Sequence, residues 1–163
     1  MTEVGEYLVG AYLKLEIGCD VVDYNVRAPG GGQRGQEEFD VVGLSFADRA
    51  AYICEVATHI RGLDYGGYDE TVARVRKKHA RQRAYAEEFL RDFAHVRYML
   101  WAPVVPVGAL TRRLAEIDSL ELVINGAYRA RVAELQARAG REKHETGNPV
   151  FRTLQVLGCL RDG

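Results

Sequence analysis

The chain has 163 residues, 47% of them hydrophobic, with 22 basic and 23 acidic side chains and a formal net charge of −1. That size and composition fit one domain that builds its core without disulfide or metal staples, and no apolar run is long enough to cross a bilayer. A near-zero charge neither demands nor excludes nucleic acid, which responds to a local basic patch rather than to the sum.

Residues 2–16 carry Val4, Leu8, Ala11, Tyr12 and Leu15 at helical spacing, ended by Gly18. Acids among these apolar residues, and the lack of a basic segment or cleavage site, argue against a signal peptide. Residues 20–27 alternate as a strand. The segment 28–36, APGGGQRGQ, is glycine-rich and carries Arg34, so it reads as a mobile loop; no Gly-Lys-Ser/Thr follows, so it is not a phosphate-cradling P-loop.

Residues 37–45 and 50–59 read as two strands joined by Ala47, Asp48 and Arg49, a connection short enough to make them antiparallel. Each places a carboxylate inside an apolar run: Asp40 before VVGL, and Glu55 within AAYICEV. Burying an ionised carboxylate costs several kcal/mol unless something binds it, so two on neighbouring strands suggest a shared cation. His59 shares the strand face of Glu55 on this reading and is placed to assist.

After RGLDYGG, where Tyr65, Gly66, Gly67 and Tyr68 suit a loop touching a backbone or a base, a long helix spans about 68–95 through Val72, Val75, Ala86, Phe89, Leu90 and Phe93. His79 and Gln82 fall inside its apolar stripe. At about 100° per residue Lys78 lies roughly 70° off that stripe, on the flank of Tyr85, while Lys77 points away. The cluster Arg74, Arg76, Lys77, Lys78, Arg81 and Arg83 suits either a solvated face or countercharge for phosphates. Of these, Arg74, Lys77 and Arg81, with Tyr85, are the expected nucleic-acid contacts.

Residues 98–102 form a short apolar strand broken by VVP, 108–117 a helix, 120–124 a strand, and 127–139 a surface helix rich in Arg and Glu. REKHETG is a polar loop, and Asn148-Pro149 opens a last helix near 149–161 with a capping side chain and a residue suited to the first helical position. The order is α-β-β-β-α-β-α-β-α-α in one domain, with a core at about 2–104 and a C-terminal extension at about 105–163. The three cysteines, Cys19, Cys54 and Cys159, have no metal spacing and read as reduced thiols of a cytoplasmic protein.

Helix, three strands, helix, strand is the core order of the restriction-endonuclease-like nucleases. The blocks GEYLVGAYL (5–13), DYNVR (23–27), EFDVV (38–42) and ICEVATH (53–59) resemble those of the PD-(D/E)xK superfamily, most nearly the YraN-like predicted nucleases and Holliday-junction resolvases. The resemblance covers roughly the first sixty residues. It implies an α/β fold, the restriction-endonuclease-like α-β-β-β-α-β core with a mixed central sheet and extra C-terminal helices. It also implies Mg²⁺ or Mn²⁺ as cofactor, DNA as partner with RNA left open, hydrolysis of phosphodiester bonds in restriction, repair or defence, and action as a homodimer.

By the same resemblance Asp40 and Glu55 are the metal ligands and Glu6 an auxiliary acid. The chain departs from the family at Ala57, where Glu-x-Lys becomes Glu55-Val56-Ala57. Lys78 is the expected replacement, with Gln82 and Tyr85 beside it; Gln82-x-x-Tyr85 is similar to the RecB-type helix motif, one residue short. Two alternatives stand beside the nuclease: a non-catalytic relative that binds nucleic acid or a partner protein, and a structural subunit whose acids form salt bridges.

Overall fold

A computed structural model describes residues 1–29 and 38–161. The glycine-rich stretch 30–37, including Arg34, lies outside the described residues. The elements run α1 (Val4–Tyr12) continued by a π-helical turn (Leu13–Ile17), β1 (Val21–Arg27), β2 (Glu38–Ser45), β3 (Ala50–Val56), α2 (Tyr68–Phe89), β4 (His95–Ala102), α3 (Ala109–Ala115), β5 (Leu120–Ile124), α4 (Asn125–Arg141) and α5 (Pro149–Arg161). This is the element order expected from the sequence.

The strands form one mixed sheet in the order β1-β2-β3-β4-β5. The first three are antiparallel, because β2 and β3 are joined by a tight turn at 46–49; β3, β4 and β5 are parallel, because α2 and α3 carry the chain back between them. One face packs on α1, α4 and α5, around Val9, Val41, Cys54, Trp101, Leu135 and Phe151. The other packs on α2 and α3, with Val72, Val75, Leu110 and Leu114 against Leu100 and Ala102, and Ala86 and Leu90 against Val42 and Ile53. The fold is therefore a three-layer α/β sandwich. Among the described residues, no helix is long and apolar enough to cross a membrane.

Several expected boundaries move. β3 ends at Val56 rather than near residue 59, and the bond from Ala57 N–H to Trp101 O at 2.9 Å closes its parallel ladder with β4. α2 stops at Phe89: Leu90 leaves helical geometry, and Phe93 sits in the following turn with its ring 6.3 Å from that of Phe46. β4 begins earlier than expected, at His95, which pairs with Ala50. α4 is more than a surface helix, since Tyr128, Leu135 and Ala139 are buried.

Two contacts fix α1 over the sheet. A Cβ at Gly5 would lie 2.1 Å from Thr58 Cγ2, so only glycine lets the start of α1 meet the end of β3 this closely. At the far side, Asn148 caps α5 by accepting from Phe151 N–H at 3.0 Å and donates to Tyr7 O at 2.8 Å, tying α5 to α1. Cys19 and Cys54 are buried free thiols, Cys54 lying 3.8 Å from Met99 Sδ, whereas Cys159 is exposed.

Candidate functional site

Asp40 and Glu55 stand on adjacent antiparallel strands. The register between the two strands runs as far as Val41 with Cys54, one step short of Asp40 and Glu55, and the Glu55 side chain belongs to the face covered by α2. Here a side chain ties the strands: Asp40 Oδ2 accepts from Val56 N–H at 2.7 Å. Glu55 is only 8% exposed. Lys78 reaches down from α2 and forms an ion pair with Glu55 Oε1.

Glu6 approaches from the start of α1. Its Oε2 accepts from Glu3 N–H at 3.1 Å, the return half of a capping box, and from Asn25 Nδ2 at 3.3 Å. Asn25 is one of few non-glycine residues with positive φ, at 54°, and also donates to Thr2 Oγ1 at 3.0 Å. Asn25 falls within the DYNVR block of the resemblance, which gave it no role of its own.

The electrostatics follow from crowding acids into a desolvated space. Burial raises the pKa of Asp40; the Val56 N–H and Lys78 pull it back, while Glu38 and Glu3 push it further up. Burial also raises Glu6, offset by the Glu3 amide and Asn25 and reinforced by the charge of Asp40. The Lys78 amine is shifted down by burial, with Asp40 opposing the shift and Arg81 adding to it.

The signs give a pH prediction. Between the ordinary carboxylate value and a raised native one, the folded protein holds more protons than the unfolded chain, so stability contributed at Asp40 falls as pH rises through that window. Replacing Asp40 by Asn removes this loss. Urea denaturation at several pH values above Asp40's ordinary 3.8 should therefore show the variant gaining on the parent as pH rises, and a constant difference would refute the shift.

Ala57 stands where the resemblance calls for lysine. It is 4% exposed and packs with Leu63, Val72 and Val75 beneath α2, so a charged side chain at 57 would enter an apolar cluster. Lys78 comes to Glu55 from farther along the same helix.

Other expected site residues have different partners. Gln82 is 2% exposed, donates to Ile53 O at 3.1 Å, and sets Oε1 3.4 Å from His79 Nδ1; it pins α2 to β3, and none of these bonds is to Asp40 or Glu55. His79 Nε2 lies 2.9 Å from Asp118 O, in a buried hydrogen-bonded position. His59 does not share a strand face with Glu55, since β3 has ended; it is exposed, with its ring edge-on to Tyr65 at 5.3 Å.

The basic flank of α2 borders the acids. Arg74, Lys77, Lys78 and Arg81 line a cavity of about 350 Å³ with Glu70 and Ala73. The Arg74 guanidinium stacks over Tyr65, 4.1 Å from the ring centre, and Tyr85 packs against Phe39 and Phe89 at 4.7 and 5.0 Å. Burial raises the Tyr65 phenol, the Arg74 guanidinium opposes that shift, and the charge of Asp40 adds to it. Its loop is fixed by Asp64, which accepts from Gly66 N–H at 2.9 Å and Gly67 N–H at 2.6 Å.

Among the described residues, no group of three or more His, Cys, Asp or Glu side chains is arranged to hold a metal ion. Two carboxylates on neighbouring strands nevertheless match the donor chemistry of Mg²⁺, which uses one or two carboxylates and completes its shell with water and substrate phosphate. Compared with protein-family models and with curated proteins, the chain matches none.

Proposed function

We propose that this chain is a Mg²⁺- or Mn²⁺-dependent nuclease that hydrolyses phosphodiester bonds in DNA. The observation that carries the reading is the ion pair of Lys78 with Glu55 beside Asp40, whose carboxylate accepts from the amide of Val56, the residue after Glu55. A structural salt bridge would need one acid per cation. Here Asp40 and Glu6 are also desolvated, and burial is the main cause of their raised pKa values, with the charge of neighbouring acids adding to it.

Asp40 and Glu55 would hold the ion, which supplies a Lewis acid for the scissile phosphoryl group. Lys78 orients the attacking water and offsets negative charge on the phosphate at the transition state. Arg74, Lys77 and Arg81 hold neighbouring phosphates along α2, an electrostatic grip that weakens with salt. Glu6 serves as an auxiliary acid, with Oε2 already engaged in its capping box.

The competing reading is a non-catalytic module of this fold that binds nucleic acid through α2, favoured by the burial of Ala57 where a catalytic lysine would stand. Incubating plasmid, branched and single-stranded DNA with Mg²⁺ or Mn²⁺ separates the two. Asp40-dependent cleavage supports the nuclease; salt-sensitive binding without cleavage under any of these conditions supports the module.

A further inference from the structure

Lys78 is in direct contact with one of the two carboxylates that the nuclease reading assigns to metal, so the same oxygen is wanted by two cations. Glu55 has little room to serve both. Its side chain is 10% exposed, against 30% for Lys78, so the carboxylate is the more enclosed of the two partners. Lys78 has the mobile partner's properties: a four-carbon stem, and an opening toward the cavity it lines with Arg74, Lys77 and Arg81.

Asp40 cannot relieve the competition. One of its oxygens already accepts from Val56 N–H, the bond that ties β2 to β3 where their ladder ends. An ion held by Asp40 alone would have one protein carboxylate, whereas the second requires release of the amine from Glu55.

Resting on the nuclease reading, we infer that Lys78 is a displaceable internal cation that occupies Glu55 until a divalent ion takes its place. On displacement the amine turns toward the phosphate-binding flank of α2, where its charge serves substrate. Metal entry and lysine release are then one event. Lys78 is a positioning residue for the ion as well as a catalytic one for the substrate.

The test is calorimetric titration of Mn²⁺ into the full-length parent, Lys78→Met, Lys78→Arg and Asp40→Asn, without nucleic acid. The expected result is binding at least tenfold tighter in Lys78→Met than in the parent, near-parental binding in Lys78→Arg, and loss of the event in Asp40→Asn. Equal or weaker binding in a folded Lys78→Met protein overturns the displacement while leaving the nuclease reading in place. No Asp40-dependent binding in any protein overturns both.

A measurement on the parent alone guards against a variant that fails to fold. In ¹⁵N-lysine-labelled protein, Mg²⁺ should move the Lys78 Nζ resonance with the same midpoint as the calorimetric event. A bound ion that leaves that resonance in place overturns the proposal.

Discussion

Asp40→Asn should cut divalent-ion-supported cleavage by about 10³-fold or more while changing folding stability by no more than about 1 kcal/mol. The two effects separate because the amide oxygen of asparagine can still accept from Val56 N–H, keeping the tie between β2 and β3. What disappears is the charge. The parent bears a desolvated carboxylate whose ionised form is disfavoured by burial, so its neutralisation costs the fold little. A metal-induced rise in Tm should vanish with it. The matching measurements are plasmid cleavage, urea denaturation and thermal shift with Mn²⁺; a large stability loss with unchanged nucleic-acid affinity would instead favour the structural-subunit reading.

Lys78→Met has the opposite profile, striking stability and activity together. Removing one partner of a buried ion pair leaves the other charged and unpaired, a loss of about 3–5 kcal/mol when both are fully enclosed. Lys78 retains 30% side-chain exposure, and solvent screening brings the expectation down to about 1–3 kcal/mol. Cleavage should fall by about 10²–10⁴-fold at a temperature where the variant is folded, the range lost with a positioned proton-handling group. Lys78→Arg retains charge but changes its shape, so it should recover stability better than rate. Denaturation curves and single-turnover cleavage on the same preparations check both, and full activity in Lys78→Met would remove the lysine from the mechanism.

The order of elements was legible because turns and periodicities punctuate this chain clearly: the tight 46–49 connection, the 22-residue run of α2, and Asn148-Pro149 ahead of α5. Boundaries were less so. Phe93 continues the helical period of α2 although its ring belongs to the next turn, and Ala57 to His59 extend the strand pattern although the chain has left the sheet. The burial of α4 was hidden by its polar composition. Arg131 lies over the Tyr12 ring at 5.3 Å and Arg138 pairs with Glu16 at 3.5 Å, so long charged side chains cover a face that packs on the core.

The acids of the site were visible as charges out of place in apolar strands, and helix geometry was enough to aim Lys78 at the sheet. The commitments of Gln82 were not visible. Its partners include a backbone carbonyl of β3, and no side-chain periodicity encodes where a carbonyl points. Asn25 escaped for a related reason, since its role depends on a left-handed backbone turn within β1 that alternation conceals.

The bond from Val56 N–H to Asp40 also bears on ion selectivity. With one lone pair of Oδ2 so engaged, Asp40 offers Oδ1 more freely, which favours binding through a single oxygen. Mg²⁺ and Mn²⁺ suit such monodentate octahedral coordination, whereas Ca²⁺ fills a larger shell and often draws on bidentate carboxylates. On the nuclease reading Ca²⁺ should therefore be a poor substitute, and equal cleavage with Ca²⁺ and Mg²⁺ would show that Asp40 exerts no such preference.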